Sequence, residues 1–196
     1  VVLGLLPLAT AIAGFLRAGD RPNVTFWIAS IVGSATVVCF GIVSGAGHLQ
    51  PADLALFGAG IAAAIGYAEG GQLAKVLGGW QVISWALVIV APFEVFPTIF
   101  VVLKEGLIAS PTAWLGFAYV SIFSQFIAFF AWYHGMALGG VARVGQIQLL
   151  QPFLTLLASA FLLGETLEPI ALGTASLVVA SVAVGKKAAI KRAEDL

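Results

Sequence analysis

Residues 80–103 read WQVISWALVIVAPFEVFPTIFVVL, a run whose single charge is Glu94. At about 1.5 Å per residue, a helix of this length crosses a hydrocarbon core of about 30 Å. Lipid offers the backbone no hydrogen bonds, so the run must pair its own amides as a helix. The alternating strands of a barrel do not fit so long and continuous an apolar stretch. The rest of the chain has the same character. Its 196 residues are 61% hydrophobic and 9% charged, against roughly 45–50% and 25% in soluble domains. A soluble fold could not hide this much apolar surface, so the surrounding solvent is lipid. The net charge is zero and points to no nucleic-acid partner. The one cysteine, Cys39, leaves no internal disulfide and no cysteine-based metal cluster, and its apolar setting makes it a packing residue.

Six further apolar segments flank this run, giving seven in all: 1–16, 24–43, 54–74, 80–103, 112–136, 144–163 and 169–184. Polar, turn-rich breaks separate them at 17–23, 44–53, 75–79, 104–111, 139–143 and 164–168. The expected fold is an all-α membrane protein, a polytopic helix bundle. Alternate breaks fall on opposite faces of the bilayer. One face collects Arg17, Arg21, Lys75, Arg143, Lys186, Lys187, Lys191 and Arg192, and the other holds Lys104. Basic loops stay in the cytoplasm, so the C-terminus is expected there, in a plasma (inner) membrane protein.

An internal repeat adds direction. Leu5, Pro7, Thr10, Ala13, Gly19, Ala35 and Val37 recur 145 positions later as Leu150, Pro152, Thr155, Ala158, Gly164, Ala180 and Val182. Asp20 falls over Glu165 and Thr36 over Ser181. Arg17 and Arg21 in the first turn match Leu162 and Thr166 in the second, so one turn is basic and the other is not. The charge bias then puts the two turns on opposite faces, and one helix pair crosses the membrane in both senses. An inverted repeat of this kind is the architecture of secondary transporters. The expected organisation is 1–45 as the last two helices of a first repeat, 46–188 as a complete five-helix second repeat, and 189–196 as a basic cytoplasmic tail. The chain opens at Val1 without a Met. The repeat arithmetic places about three further spans, roughly 90 residues, upstream.

The order of spans and turns resembles the drug/metabolite transporter superfamily, in particular its EamA-type members. The resemblance rests on Leu6-Pro7-Leu8 with Gly19-Asp20-Arg21-Pro22, and on Leu150-Gln151-Pro152 with Leu162-Leu163-Gly164-Glu165-Thr166-Leu167. Ala131-Trp132-Tyr133 before Met136-Ala137-Leu138 also fits. It implies a ten-helix (5+5) transporter of small metabolites, often an exporter, with a central cavity. Gln148 and Gln151 replace the apolar residues expected near that proline, which points to an individual substrate preference.

Each candidate residue carries a functional and a plain reading. Pro7 and Pro152, inside helices, each remove a backbone bond and free the carbonyl four residues back. Matched breaks of this kind point to a transporter binding site, and the plain reading is a packing kink. Gln148, Gln151, Thr155 and Ser159 recur at helical spacing, as a cavity lining or as interhelical hydrogen bonds. Ser121, Gln125 and Trp132 share one expected face, and Gln125 wants an internal partner. Trp132, Tyr133 and His134 form an interfacial belt, with a proton carrier as the alternative role for His134. Glu69 and Glu94 are the carboxylates expected within spans. A charge there costs roughly 3 kcal/mol, so each is a candidate for coupling transport to protons or for binding substrate. An ion pair or snorkelling for Glu69, and an interfacial place for Glu94, are the plain readings. Gly58, Ala62, Gly66 and Gly70 form a small-residue stripe for close helix packing. Tyr67 beside it either faces the cavity or packs.

The leading expectation is a secondary transporter of a small molecule, in the lipid bilayer, with protons as a possible coupling ion and with no cofactor and no metal. Phosphorylated anions are disfavoured, because no Arg or Lys sits inside a span. An intramembrane enzyme is the weaker class. Ser44 and His48 lack a nucleophile motif, and Asp20 has no second embedded aspartate. A non-transporting membrane scaffold or channel subunit is the remaining alternative.

Overall fold

A computed structural model of the chain describes residues 2–44, 51–164, 169–188 and 190–191. His48, Glu165, Thr166 and Arg192 of the sequence reading lie outside the described residues. Within them the chain is helical. A 3-10 turn at Val2–Leu5 leads into α1 (Leu6–Arg17), followed by β1 (Arg21–Pro22), α2 (Val24–Val43), α3 (Pro51–Leu77) and α4 (Gly79–Glu105). Next come α5 (Pro111–Tyr119), a π-helical stretch at Val120–Ile127 and α6 (Ala128–Gly139). Then follow α7 (Val141–Gly145), a 3-10 turn at Gln146–Leu150, α8 (Gln151–Leu163), α9 (Pro169–Lys187) and β2 (Ile190–Lys191). Among the described residues, six continuous helical runs are long and apolar enough to cross a membrane, and Leu6–Arg17 is a shorter apolar helix. The seven expected segments are all helical where described.

Local chemistry sets the helix ends. The Asn23 side chain caps α2 by accepting from the Phe26 amide at 3.0 Å, and Ser110 caps α5 by accepting from Ala113 at 3.2 Å. Pro111 follows at the first helical position, where its missing N–H has no intrahelical partner to lose. Gly19 and Gly164 end α1 and α8 at φ 71° and 70°, a left-handed conformation that side chains with a Cβ rarely adopt.

The chain forms two compact units, one of Val1–Glu69 with Gly139–Leu196 and one of Gly70–Leu138. In the first, α2 and α9 pack along each other in opposite directions. Phe26 near the start of α2 joins Ala188 just past the end of α9. Gly33 faces Ser181, and Val37 and Phe40 meet Val178 and Phe153. One end of this unit is fastened by polar links. Asp20, 3% exposed, accepts from the Ala142 amide at 2.7 Å. Arg143 donates to the Ala188 carbonyl at 3.2 Å. β1 and β2 pair antiparallel, Arg21 opposite Lys191 and Pro22 opposite Ile190. The breaks at 17–23 and 139–143 and the segment after α9, which the charge pattern put on one face, therefore meet at one end.

In the second unit, Gly79 lets α4 lie against the backbone of Phe130 and His134. A Cβ at Gly70 would run into the Tyr133 ring. Phe126 and Phe130 meet edge to face with centroids 4.9 Å apart, and Phe129 and Tyr133 are tilted at 5.7 Å.

Three sequence expectations are revised. The fifth segment is not one α-helix. Its π turn bonds over five residues and advances less per residue, so Trp132 leaves the face expected for Ser121 and Gln125. The glycine stripe of α3 packs only in part. Gly58 and Gly66 have no atom within 4 Å of a built Cβ, while Ala64 and Ala68 on another face are buried against Ala13 and Val141. Neither Pro7 nor Pro152 interrupts an α-helix. Each stands in the first turn of one, directly after a 3-10 turn.

Candidate functional site

The two proline breaks lie in the first unit and share one construction. Shifting α1 by 145 positions gives 151–162, beside an observed α8 of Gln151–Leu163. The same shift takes α2 to 169–188, beside an observed α9 of Pro169–Lys187. Both short helices follow a 3-10 turn, carry proline in the first turn and end on a left-handed glycine. Thr10 and Thr155 each donate to the carbonyl four residues back, at 2.8 and 3.0 Å. Thr36 and Ser181 do the same at 2.7 and 3.1 Å. Proline explains the change of helix type. A residue without N–H costs least where the α-helix begins, so the preceding turn closes with shorter-range bonds.

The 3-10 turn before Pro152 carries the amides. Gln148 has its Oε1 buried without a hydrogen-bond partner among the described residues, and Gln151 is exposed at the start of α8. The sequence reading missed Gln146, which is 2% exposed. Its Nε2 donates to Ser30 Oγ of α2 at 3.3 Å, and its amide rests against Gly185 of α9 so closely that a Cβ there would collide with it. Among the described residues, the buried Gln146 Oε1 and Ser34 Oγ have no hydrogen-bond partner. Gln146 begins at the edge of an apolar segment and escapes a search for polar residues at helical spacing. The signal for it was Gly185, a gap in α9 distant in sequence.

The remaining candidates are dispersed. Glu69 is ion-paired with Arg17, with both side chains about half-exposed. This is the plain reading of Glu69. Tyr67 is half-buried in α3. Gln125, in the π turn, is exposed, and so is Glu94 in α4, between Pro92 and Pro97. Thr155 is exposed and Ser159 half-buried. His134 lines a surface pocket of about 570 Å³ with Gly79, Trp80, Phe130 and Ala131. Cys39 is exposed, in an apolar groove with Val32, Phe40 and Leu177.

Membrane-length helices, a polar, basic end and paired helix breaks define a polytopic helical membrane protein. The model of the EamA-like transporter family matches residues 50–184, and the chain belongs to that family. It is 46% identical over 165 residues to a Bacillus subtilis (strain 168) protein named "Uncharacterized transporter YdeK". That similarity covers 84% of this chain and 58% of the relative's length. No solved structure matches.

Proposed function

We infer that the protein works as a secondary transporter, an exporter of a small metabolite or drug-like molecule, by alternating access. The observation that carries this reading is the pair of 3-10-to-α breaks at Pro7 and Pro152, on segments that recur at one offset with α2 and α9 antiparallel. Antiparallel copies of one unit supply two exchangeable faces for one central site. In this reading 1–45 belongs to a first repeat, 46–188 is the second, and 189–196 is a cytoplasmic tail in a plasma (inner) membrane protein. Substrate lies near the breaks, at Pro7, Gln148, Gln151 and Pro152, and Tyr67 and Gln125 are further candidates for contact with it. The amides make it a polar molecule with hydrogen-bond donors and acceptors. Glu69 and Glu94 are the carboxylates through which protons couple to movement, and the chain does no enzymatic chemistry.

The test is flux through full-length protein in proteoliposomes, screened against neutral polar metabolites. Gln151→Leu removes one hydrogen-bonding group worth about 1.4 kcal/mol, so the apparent affinity for a transported compound falls roughly tenfold. Well-folded protein with no flux of any compound defeats the reading in favour of a membrane scaffold. Flux that ignores Gln148 and Gln151 removes these residues from the site.

A further inference from the structure

α1 and α3 belong to different repeats in the reading above, and they meet along a thin seam. Its buried residues are Ala13 of α1, Ala64 and Ala68 of α3, and Val141. Alanine methyls interlock little, so such a seam separates without repacking large side chains. One turn beyond Ala13, Arg17 Nε meets Glu69 Oε1, with side chains 59% and 51% exposed. That exposure distinguishes two roles. Breaking a buried pair strands a charge and is strongly unfavourable, as suits a permanent structural tie. An exposed pair contributes little, and both partners are resolvated when they part. A weak, directional link over a smooth seam is what a reversible closure requires.

We propose that Arg17 and Glu69 form an ion-pair latch that closes the transport path at the end where Asp20, Ala142 and β1–β2 are fastened. The latch rests on the transporter reading. In the state seen, the pair is made and this end is shut. When the repeats rock, the pair parts and the α1–α3 seam opens toward the substrate region near Gln151.

The experiment uses full-length protein in right-side-out and inverted vesicles, with Cys39 and every other native cysteine replaced by serine and Gln151→Cys as reporter. A membrane-impermeant maleimide is applied from each face. With the latch intact, labelling occurs from both faces, as the protein alternates. Glu69→Gln raises the rate from the Arg17 face and lowers it from the opposite face. The change is about fivefold, the shift that a pair worth about 1 kcal/mol imposes on a two-state equilibrium. Arg17→Glu combined with Glu69→Arg restores the original rates. Labelling from both faces that ignores the pair overturns the latch and leaves the transporter reading standing. Labelling from neither face, or from one face whatever stands at 17 and 69, overturns the transporter reading and the latch with it.

Discussion

α1 and α8 have the same local construction and different surroundings. Thr10 is fully buried, and Pro7, Ala11, Ala13 and Gly14 are buried with it. At the matching positions Thr155 is exposed, Pro152 and Ser159 are half-buried, and Gln151 at the start of α8 is exposed. Local geometry thus follows short-range chemistry, namely proline, a hydroxyl four residues from a carbonyl, and a terminal glycine. Burial follows what packs on top. α1 lies under α7 and the alanine face of α3, and Gly14 is a point of close approach. A Cβ there would stand 3.0 Å from the Ala142 nitrogen and 3.2 Å from Asp20 Oδ2. α8 carries serine at the matching position. The polar groups of α1 are consumed in packing, whereas Gln151 and Thr155 of α8 are exposed.

The largest effect concerns the opposed senses of the repeats. In vesicles, Lys186→Cys labels from the cytoplasmic face and Lys104→Cys from the other, each all or none. Labelling of both from one face breaks the inversion on which the comparison stands. Next comes the covered half. Asp20→Ala leaves the buried Ala142 amide without its acceptor and destabilises by about 2–3 kcal/mol. Thermal unfolding in detergent reads this, and an unchanged midpoint would show that α7 does not depend on that bond. Gly14→Ala forces a methyl against backbone and costs about 1–2 kcal/mol by the same measurement. The smallest effect sharpens the contrast directly. Thr155→Val changes stability by less than about 0.5 kcal/mol, as an exposed site should. Thr10→Val loses a buried hydrogen bond and costs about 1 kcal/mol. Equal values would mean that the two helices share an environment.

The spans, the turns and the shared construction of α1 and α8 were legible in the sequence because lipid leaves the backbone one solution and because proline and terminal glycine act locally. The meeting of Asp20, Arg21, Arg143 and the segment after α9 at one end was legible from charge, since alternate loops must share a face. What escaped depends on contacts between distant segments. Gln146 is placed by the missing side chain of Gly185 and by Ser30, and no local pattern marks that fit. The π turn shifts the phase of a helix without a proline or glycine at its start. The glycines of α3 had the right spacing, yet Ala64 and Ala68 on another face make the contact. Glu69 and Arg17 were both visible as charges, and their pairing was not.

The pairing of Arg21–Pro22 with Ile190–Lys191 bears on how the protein is made. Its partners Arg21 and Lys191 are 170 positions apart. Synthesis delivers Arg21 well before Lys191, which follows α9, and closing so long a loop has no local help. The clasp therefore forms only after α9 has been made. Arg21→Cys with Lys191→Cys, opposite each other in the ladder, cross-links on oxidation once α9 has docked, and the rate at which that cross-link appears after synthesis reads the docking step.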